Sequence, residues 1–318
     1  MPAGEVDVEN GTSDKNGTFH ENGTFDKNGT FEKGGWANSV RKFVVSNRLN
    51  ILLFLLTIGT TLIAGTLQSG ADPLKDIRNL RFGIPFSFTL LSILLFHEFA
   101  HYFTAKFHKA SSTLPYFIPA PTFLGTLGAV IKMKSPFPHK SALLDVGIAG
   151  PLASFTLSIV AAALGLLTSP VVDTIPEKGY FGWSIIFSVI FRVVKGPIAQ
   201  GHYVDLSPVA FGGWIGFFVT AMNLLPVGQL DGGHIAYSLF GKRHALVARI
   251  AVLVLLGFGL FWPPWFIWCA FIIALVGLRH PAPVDNITPV NKKRKLLGIF
   301  ALFILIITFV PVPFVVVG

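Results

Sequence analysis

Residues 91–101 read LSILLFHEFAH and set two histidines and a glutamate inside a run otherwise apolar enough to cross a membrane. Ionisable side chains are costly in a bilayer core and are kept there for function. His97 and His101 stand four residues apart, so a helix carries them on one face, one turn apart along its axis. Both imidazoles then reach one metal ion. Glu98 follows the first of them, placed to take a proton from a metal-activated water. The plainer reading is a chance string whose histidines bond between helices. Lipid weakens it, because every polar group there needs a partner.

The rest of the chain fits a membrane setting. Of 318 residues, 52% are hydrophobic and only 13% charged, too apolar for an ordinary soluble protein. The single cysteine, Cys269, excludes an intramolecular disulfide and a cysteine-rich zinc site, and reads as a small core residue. Residues 1–35 differ in kind. From Asn10 the units NGTSDK, NGTFHE, NGTFDK and NGTFEK repeat every six residues, a polar tract expected to be disordered. Asn10, Asn16, Asn22 and Asn28 match the glycosylation pattern, although tandem expansion of a solvated tail is the simpler origin. This tract holds seven acids and three lysines, net −4, which leaves +13 for the remainder of a chain of net charge +9. That basic excess belongs to loops between apolar runs, so it suits lipid headgroups and no nucleic acid. No signal-peptide pattern opens the chain, and the first apolar run, near residue 50, reads as an uncleaved anchor.

The expected fold is an all-α polytopic membrane protein of about seven transmembrane helices, with a small re-entrant β element beside the active site. Candidate spans are 50–68, 84–105, 143–168, 208–225, 245–261, 264–278 and 296–316. The run 181–195 is short and reads as interfacial or re-entrant. Four parts follow: the tail 1–35, an anchor span and loop 36–80, a core 81–240, and C-terminal helices 241–318. Arg41, Lys42 and Arg48 before the first span place the N-terminus in the cytosol, with Lys75, Arg78 and Arg81 as exceptions to the charge rule. The expected location is multi-pass, in the cell membrane. Entering at Ile84, the chain reaches His97 after about 20 Å, roughly 10 Å short of the cytosolic side of a core about 30 Å thick.

A third ligand at that depth must come from another span. The run 223–234, NLLPVGQLDGGH, closes the fourth one, and Pro226, Gly228, Gly232 and Gly233 break its helix around Asp231. A carboxylate beside two imidazoles is a donor set that zinc accepts. The segment 115–138, PYFIPAPTFLGTLGAVIKMKSPFP, is non-helical, with β-favouring residues and glycines at 126–134. It offers either an open strand edge for an unwound substrate or a structural hairpin over the site.

With HEFAH at 97–101, AGPLASF at 149–155 and NLLPVGQLDGGH at 223–234, the chain resembles the site-2 protease family of intramembrane zinc metalloproteases over roughly residues 80–240. The resemblance implies one zinc ion per chain, held by His97, His101 and Asp231, with Glu98 as general base. It implies hydrolysis of peptide bonds in or next to the transmembrane segment of a protein or peptide substrate. Asn223, Gly128, Val130 and Ser154 are the expected substrate contacts. Ser154 stands where many members have asparagine. Gly150 and Pro151 serve either close helix packing or catalysis. Asp145 reads as an interfacial cap, and His108, His139, His244 and His280 as solvated residues near interfaces. His234 reads as a candidate neighbour of the metal ligands. The competing reading is a non-catalytic scaffold or transporter with broken helices.

Overall fold

The computed structural model describes residues 23–25, 31–33, 35–173 and 180–315. Two compact units are present, Met1–Ile51 and Leu52–Gly318. In the first, β1 (Gly23–Phe25) and β2 (Phe31–Lys33) pair antiparallel, and α1 (Gly35–Ser46) follows. These two short strands are the described residues of the repeat tract. The threonine and phenylalanine that recur in it favour extended backbone. The rest of the tract, including the four asparagines, lies outside the described residues.

The second unit is mostly helical. Among the described residues of the chain, three helical stretches are long and apolar enough to cross a membrane: α2 (Arg48–Gln68), the stretch Ile77–Phe107 that contains α3 (Ile84–Phe107), and α4 (Lys140–Thr168). The strands β3 (Tyr116–Pro119) and β4 (Thr126–Val130) lie between α3 and α4. After α4 come β5 (Val171–Val172), β6 (Tyr180–Phe181), α5 (Ile185–Lys195), β7 (Tyr203–Val204), α6 (Pro208–Asn223) and α7 (Asp231–Phe240). The chain ends with α8 (His244–Gly259), α9 (Pro264–Phe271), a π-helical turn (Ile272–Val276), α10 (Lys292–Thr308) and β8 (Phe314–Val315).

The four later candidate spans are shorter than expected. Helices α6, α8 and α10 have 16, 16 and 17 residues, and α9 with its π turn covers Pro264–Val276. At 1.5 Å per residue these run to about 20–26 Å, against a hydrocarbon core of about 30 Å. Proline and glycine punctuation cuts them: Pro208 opens α6, Pro226 follows it, and Gly259, Pro263 and Gly277 bracket α9. At 11 residues α5 is shorter still.

Lipid tails are as apolar as leucine, so helices in a membrane associate through close packing and hydrogen bonds between small residues. The centre of this unit follows that rule. Helix α4 packs on α3, α6 and α7. Ser158 and Ala162 of α4 meet Gly213 and Gly216 of α6. Around this seam Phe86, Leu90, Leu166, Phe187, Phe211 and Trp214 are buried together. Outward-facing Phe88, Phe103, Leu164, Leu253, Ile267 and Ile306 are exposed, an apolar exterior that suits lipid rather than water.

Local signals set the ends of the site-bearing helices. Pro85 sits in the first turn of α3, where its missing N–H costs nothing. His139 caps α4 by accepting from Ala142 N–H at 3.0 Å. Asp145 is therefore not a cap. Its carboxylate is gripped at 2.9–3.0 Å by Arg294 of α10 and at 2.9 Å by His108 from the end of α3. Helix α6 starts on Ser207 and Pro208 and stops at Asn223, and a turn through Gly228, at φ +51°, leads into α7.

Candidate metal centre

Three ligating atoms converge where α3, α4 and α7 meet. His97 Nε2 and His101 Nε2 are 3.0 Å apart, and each is 3.2 Å from Asp231 Oδ2. Zinc bonds of about 2.0–2.1 Å at tetrahedral angles put neighbouring ligand atoms roughly 3.3 Å apart. The trio is thus already spaced as one face of such a site. It is the one cluster of at least three metal-ligating side chains among the described residues. Two imidazoles and a carboxylate fit zinc, with one position of a tetrahedron left for water or substrate.

Each histidine is oriented from behind. His101 Nδ1 lies 2.7 Å from the Val146 carbonyl oxygen, which only accepts, so Nδ1 carries the proton and Nε2 keeps its lone pair. His97 Nδ1 lies 3.1 Å from Ser154 Oγ. Thr220 Oγ1 donates to Gly216 O at 2.7 Å and sits 2.9 Å from Ser154 Oγ. Ser154 Oγ donates to the Gly150 and Pro151 carbonyls at 3.2 Å, so towards His97 it accepts from Nδ1–H, again leaving Nε2 free. Ser154 is completely buried. The hydroxyl expected to contact substrate stands behind His97, one of the three residues that could hold a metal.

Gly150 has an equally concrete place. A Cβ on it would meet His101 Nε2 at 2.1 Å, so only glycine lets α4 pass under that ring. At Gly232, after Asp231, a Cβ would meet Leu224 O at 1.9 Å, so α7 folds tightly back on the turn that delivers the carboxylate. Asp231 itself sits in the first turn of α7, where an anion suits the helix dipole.

Glu98 is buried, and it lines the same cavity as Ile131, just past β4. Among the described residues strand β4 pairs with β3 alone, matching Tyr116 to Val130 and Phe117 to Ala129, with an irregularity before Pro119–Thr126. Ala129, Val130, Glu98, Asn223, Asp231 and His234 are among the residues that line a cavity of about 170 Å³. Asn223 Nδ2 lies 3.4 Å from His97 Nε2. Gly128, at φ +103° with open space beside it, is on the same strand but outside this lining. A larger cavity of about 260 Å³ lies at the opposite end of α6, around Pro208, Phe211, Phe123 and Trp183. It adjoins none of the ligands. The His202–Asp173 pair near it is exposed.

Sequence reading placed His280 in solvent, and the structure moves it. Its Nε2 is hydrogen-bonded to Nδ1 of His234, 46 residues away. No spacing rule links these positions, since the loop after α9 brings them together.

The description Peptidase family M50 matches residues 85–261, more than half of the chain. The chain is 31% identical over 290 residues to probable zinc metalloprotease EGY1, chloroplastic, of Arabidopsis thaliana, covering 82% of this chain and 52% of that protein. It is 30% identical to EGY1 of Oryza sativa subsp. japonica, covering 83% and 50%. To probable zinc metalloprotease EGY2, chloroplastic, of Arabidopsis thaliana it is 31% identical, covering 76% and 44%. The chain thus spans about half the length of these relatives. Their names are chloroplastic, which lends the expected cell membrane and cytosolic orientation no support.

Proposed function

From its membership of peptidase family M50, the site-2 protease family, we propose that this chain is an intramembrane zinc endopeptidase that hydrolyses peptide bonds in or beside the transmembrane segment of membrane-protein substrates. One observation carries the reading. His97, His101 and Asp231 converge within 4.8 Å inside an apolar helical unit, with Glu98 buried beside them. A non-catalytic scaffold or transporter has no need of Glu98 beside a complete ligand set.

Zinc, when bound there, supplies a Lewis acid that makes water a nucleophile near neutral pH and polarises a carbonyl. The chain's own residues do the rest. Glu98 accepts the proton of the attacking water and returns it to the leaving amine. Asn223 offers an amide N–H to the oxygen of the scissile carbonyl. A transmembrane helix hides its scissile bond, so the substrate must unwind, and the unpaired edge of β4 gives it backbone partners. Val130, at the cavity, is the contact expected on that strand, with Gly128 giving it room to turn.

The site faces the basic, cytosolic side of the bilayer in this reading. The shorter helices α6, α8, α9 and α10 complete about seven spans by lying where the protein thins the bilayer. The test uses the full chain in detergent or liposomes, with zinc per chain measured beside cleavage of a membrane-embedded peptide. Glu98→Gln keeps one zinc and loses cleavage. Asp231→Ala loses both. Cleavage that survives Glu98→Gln ends the proposal.

A further inference from the structure

The cavity wall on the α7 side carries a residue with no part in the reading above. His234 lies one helical turn past Asp231, on the same face, and lines the same cavity. Its ring is clamped. Gly147 of α4 lies so close that a Cβ there would come within 2.8 Å of His234 Cβ. The Phe137 ring stands edge-on at 5.5 Å. Behind it His280 stacks on Tyr237 at 4.8 Å.

The hydrogen bonds fix which nitrogen is which. His280 Nδ1 is 2.6 Å from the Pro281 carbonyl oxygen, which only accepts, so this nitrogen holds the proton. Burial, with His244 close by, pulls His280 down to about 4, so its ring is neutral at pH 7. Its Nε2 is then an acceptor, and His234 Nδ1 must donate to it. His234, neutral in turn, keeps a lone pair on Nε2.

We propose that His234 is a further substrate-contacting residue, its Nε2 accepting a backbone N–H of the extended substrate in the cavity that β4 also lines, with His280 as the positioning residue that fixes this role. An extended peptide presents N–H and C=O groups along both edges, so a substrate paired with β4 along one edge keeps N–H groups on the other that an acceptor can satisfy. His280 lies beyond the matched residues 85–261. The loop that carries it is tied down at Phe137 and Pro138, whose carbonyls accept from Val284 and Asp285 N–H at 2.9 Å. The C-terminal segment thus reaches into substrate binding.

This inference rests on the protease reading, so its test is a binding measurement that needs no cleavage. The probe is a fluorescent transmembrane peptide, titrated into the full-length Glu98→Gln chain in detergent, with zinc per chain measured in parallel. His234→Asn keeps a donor near Nδ1 and removes the acceptor at Nε2. It weakens binding about tenfold, the scale of one lost hydrogen bond, at unchanged zinc. His234→Gln, with its amide near Nε2, recovers most of that loss. His280→Ala weakens binding, and His280→Gln, which keeps an acceptor, weakens it less. Methylating the backbone nitrogens of the peptide one at a time finds one position that hurts Glu98→Gln and leaves the His234→Asn double variant unaffected. Equal affinity in the two, absence of any such position, or failure of the peptide to bind overturns the proposal. So does loss of zinc in His234→Asn, or two zinc ions per chain in its parent, since His234 would then be holding metal. A peptide that binds as described but is never cleaved by the unmodified chain refutes the protease reading alone.

Discussion

Two histidine pairs sit side by side in this protein and arise in opposite ways. His97 and His101 share one helix, four residues apart, and helix geometry alone brings their nitrogens to 3.0 Å. His234 and His280 come from α7 and from the loop after α9, and only the folded chain joins them. The first pair faces a carboxylate across a gap sized for an ion. The second is locked nitrogen to nitrogen, with a carbonyl behind it. A pair written into a helix is free to serve a ligand. A pair assembled by tertiary contact arranges the site around it.

That contrast is open to attack from both sides. The largest effect is expected at Gly150. If the first pair needed only its own helix, Gly150→Ala would be harmless. The added Cβ, 2.1 Å from His101 Nε2, displaces that ring. Zinc per chain should fall well below one and cleavage by about a hundredfold or more, the scale set by ångström-sized misplacement. Next comes Ser154→Ala, which leaves His97 Nδ1 without its acceptor. Zinc affinity, measured by competition with a chelator, should drop about 10–100-fold while helicity is unchanged.

The second pair and its segment call for smaller effects. Arg294→Gln removes the fork that holds Asp145 and ties α10 to α4, leaving His108 as the remaining partner. A loss of about 1–2 kcal/mol, seen as a fall of a few degrees in the melting temperature in detergent, is the expected scale. An unchanged melting temperature would mean that the C-terminal helix stands independent of the core.

The smallest effect is a pH dependence at His280. Its folded value of about 4 lies below the ordinary 6.5, so the unfolded chain takes up the proton first. The stability from burying it neutral is complete above pH 6.5 and is lost as the pH falls towards 4. His280→Gln should flatten that part of the melting profile. A profile identical to that of the unmodified chain would place His280 in water after all.

How much was legible depended on distance along the chain. The HEFAH turn and the LDGG break stood out because each is a local pattern in an apolar setting. They led to the trio that the fold brings together. Helix lengths were less legible: apolar composition runs past Gly259 and Gly277, while the backbone stops where proline and glycine require. The resemblance marks Ser154 as a residue of the site, but not that its hydroxyl points at His97, because sequence gives no side-chain direction. Asp145 was read as a cap for the same reason, since Arg294 is 149 residues away.

The sequence by itself determined the chemistry: an apolar chain with two imidazoles one helical turn apart, a glutamate between them, and an aspartate in a glycine-flanked break. These are short-range facts, set by the 3.6-residue period and by which side chains bind zinc. Tertiary structure alone decided that the two imidazoles meet the Asp231 carboxylate, that Ser154 stands behind His97, and that His280, from outside the matched region, bonds to His234. Those contacts join positions 46 to 134 residues apart, and packing, which has no period, selects them.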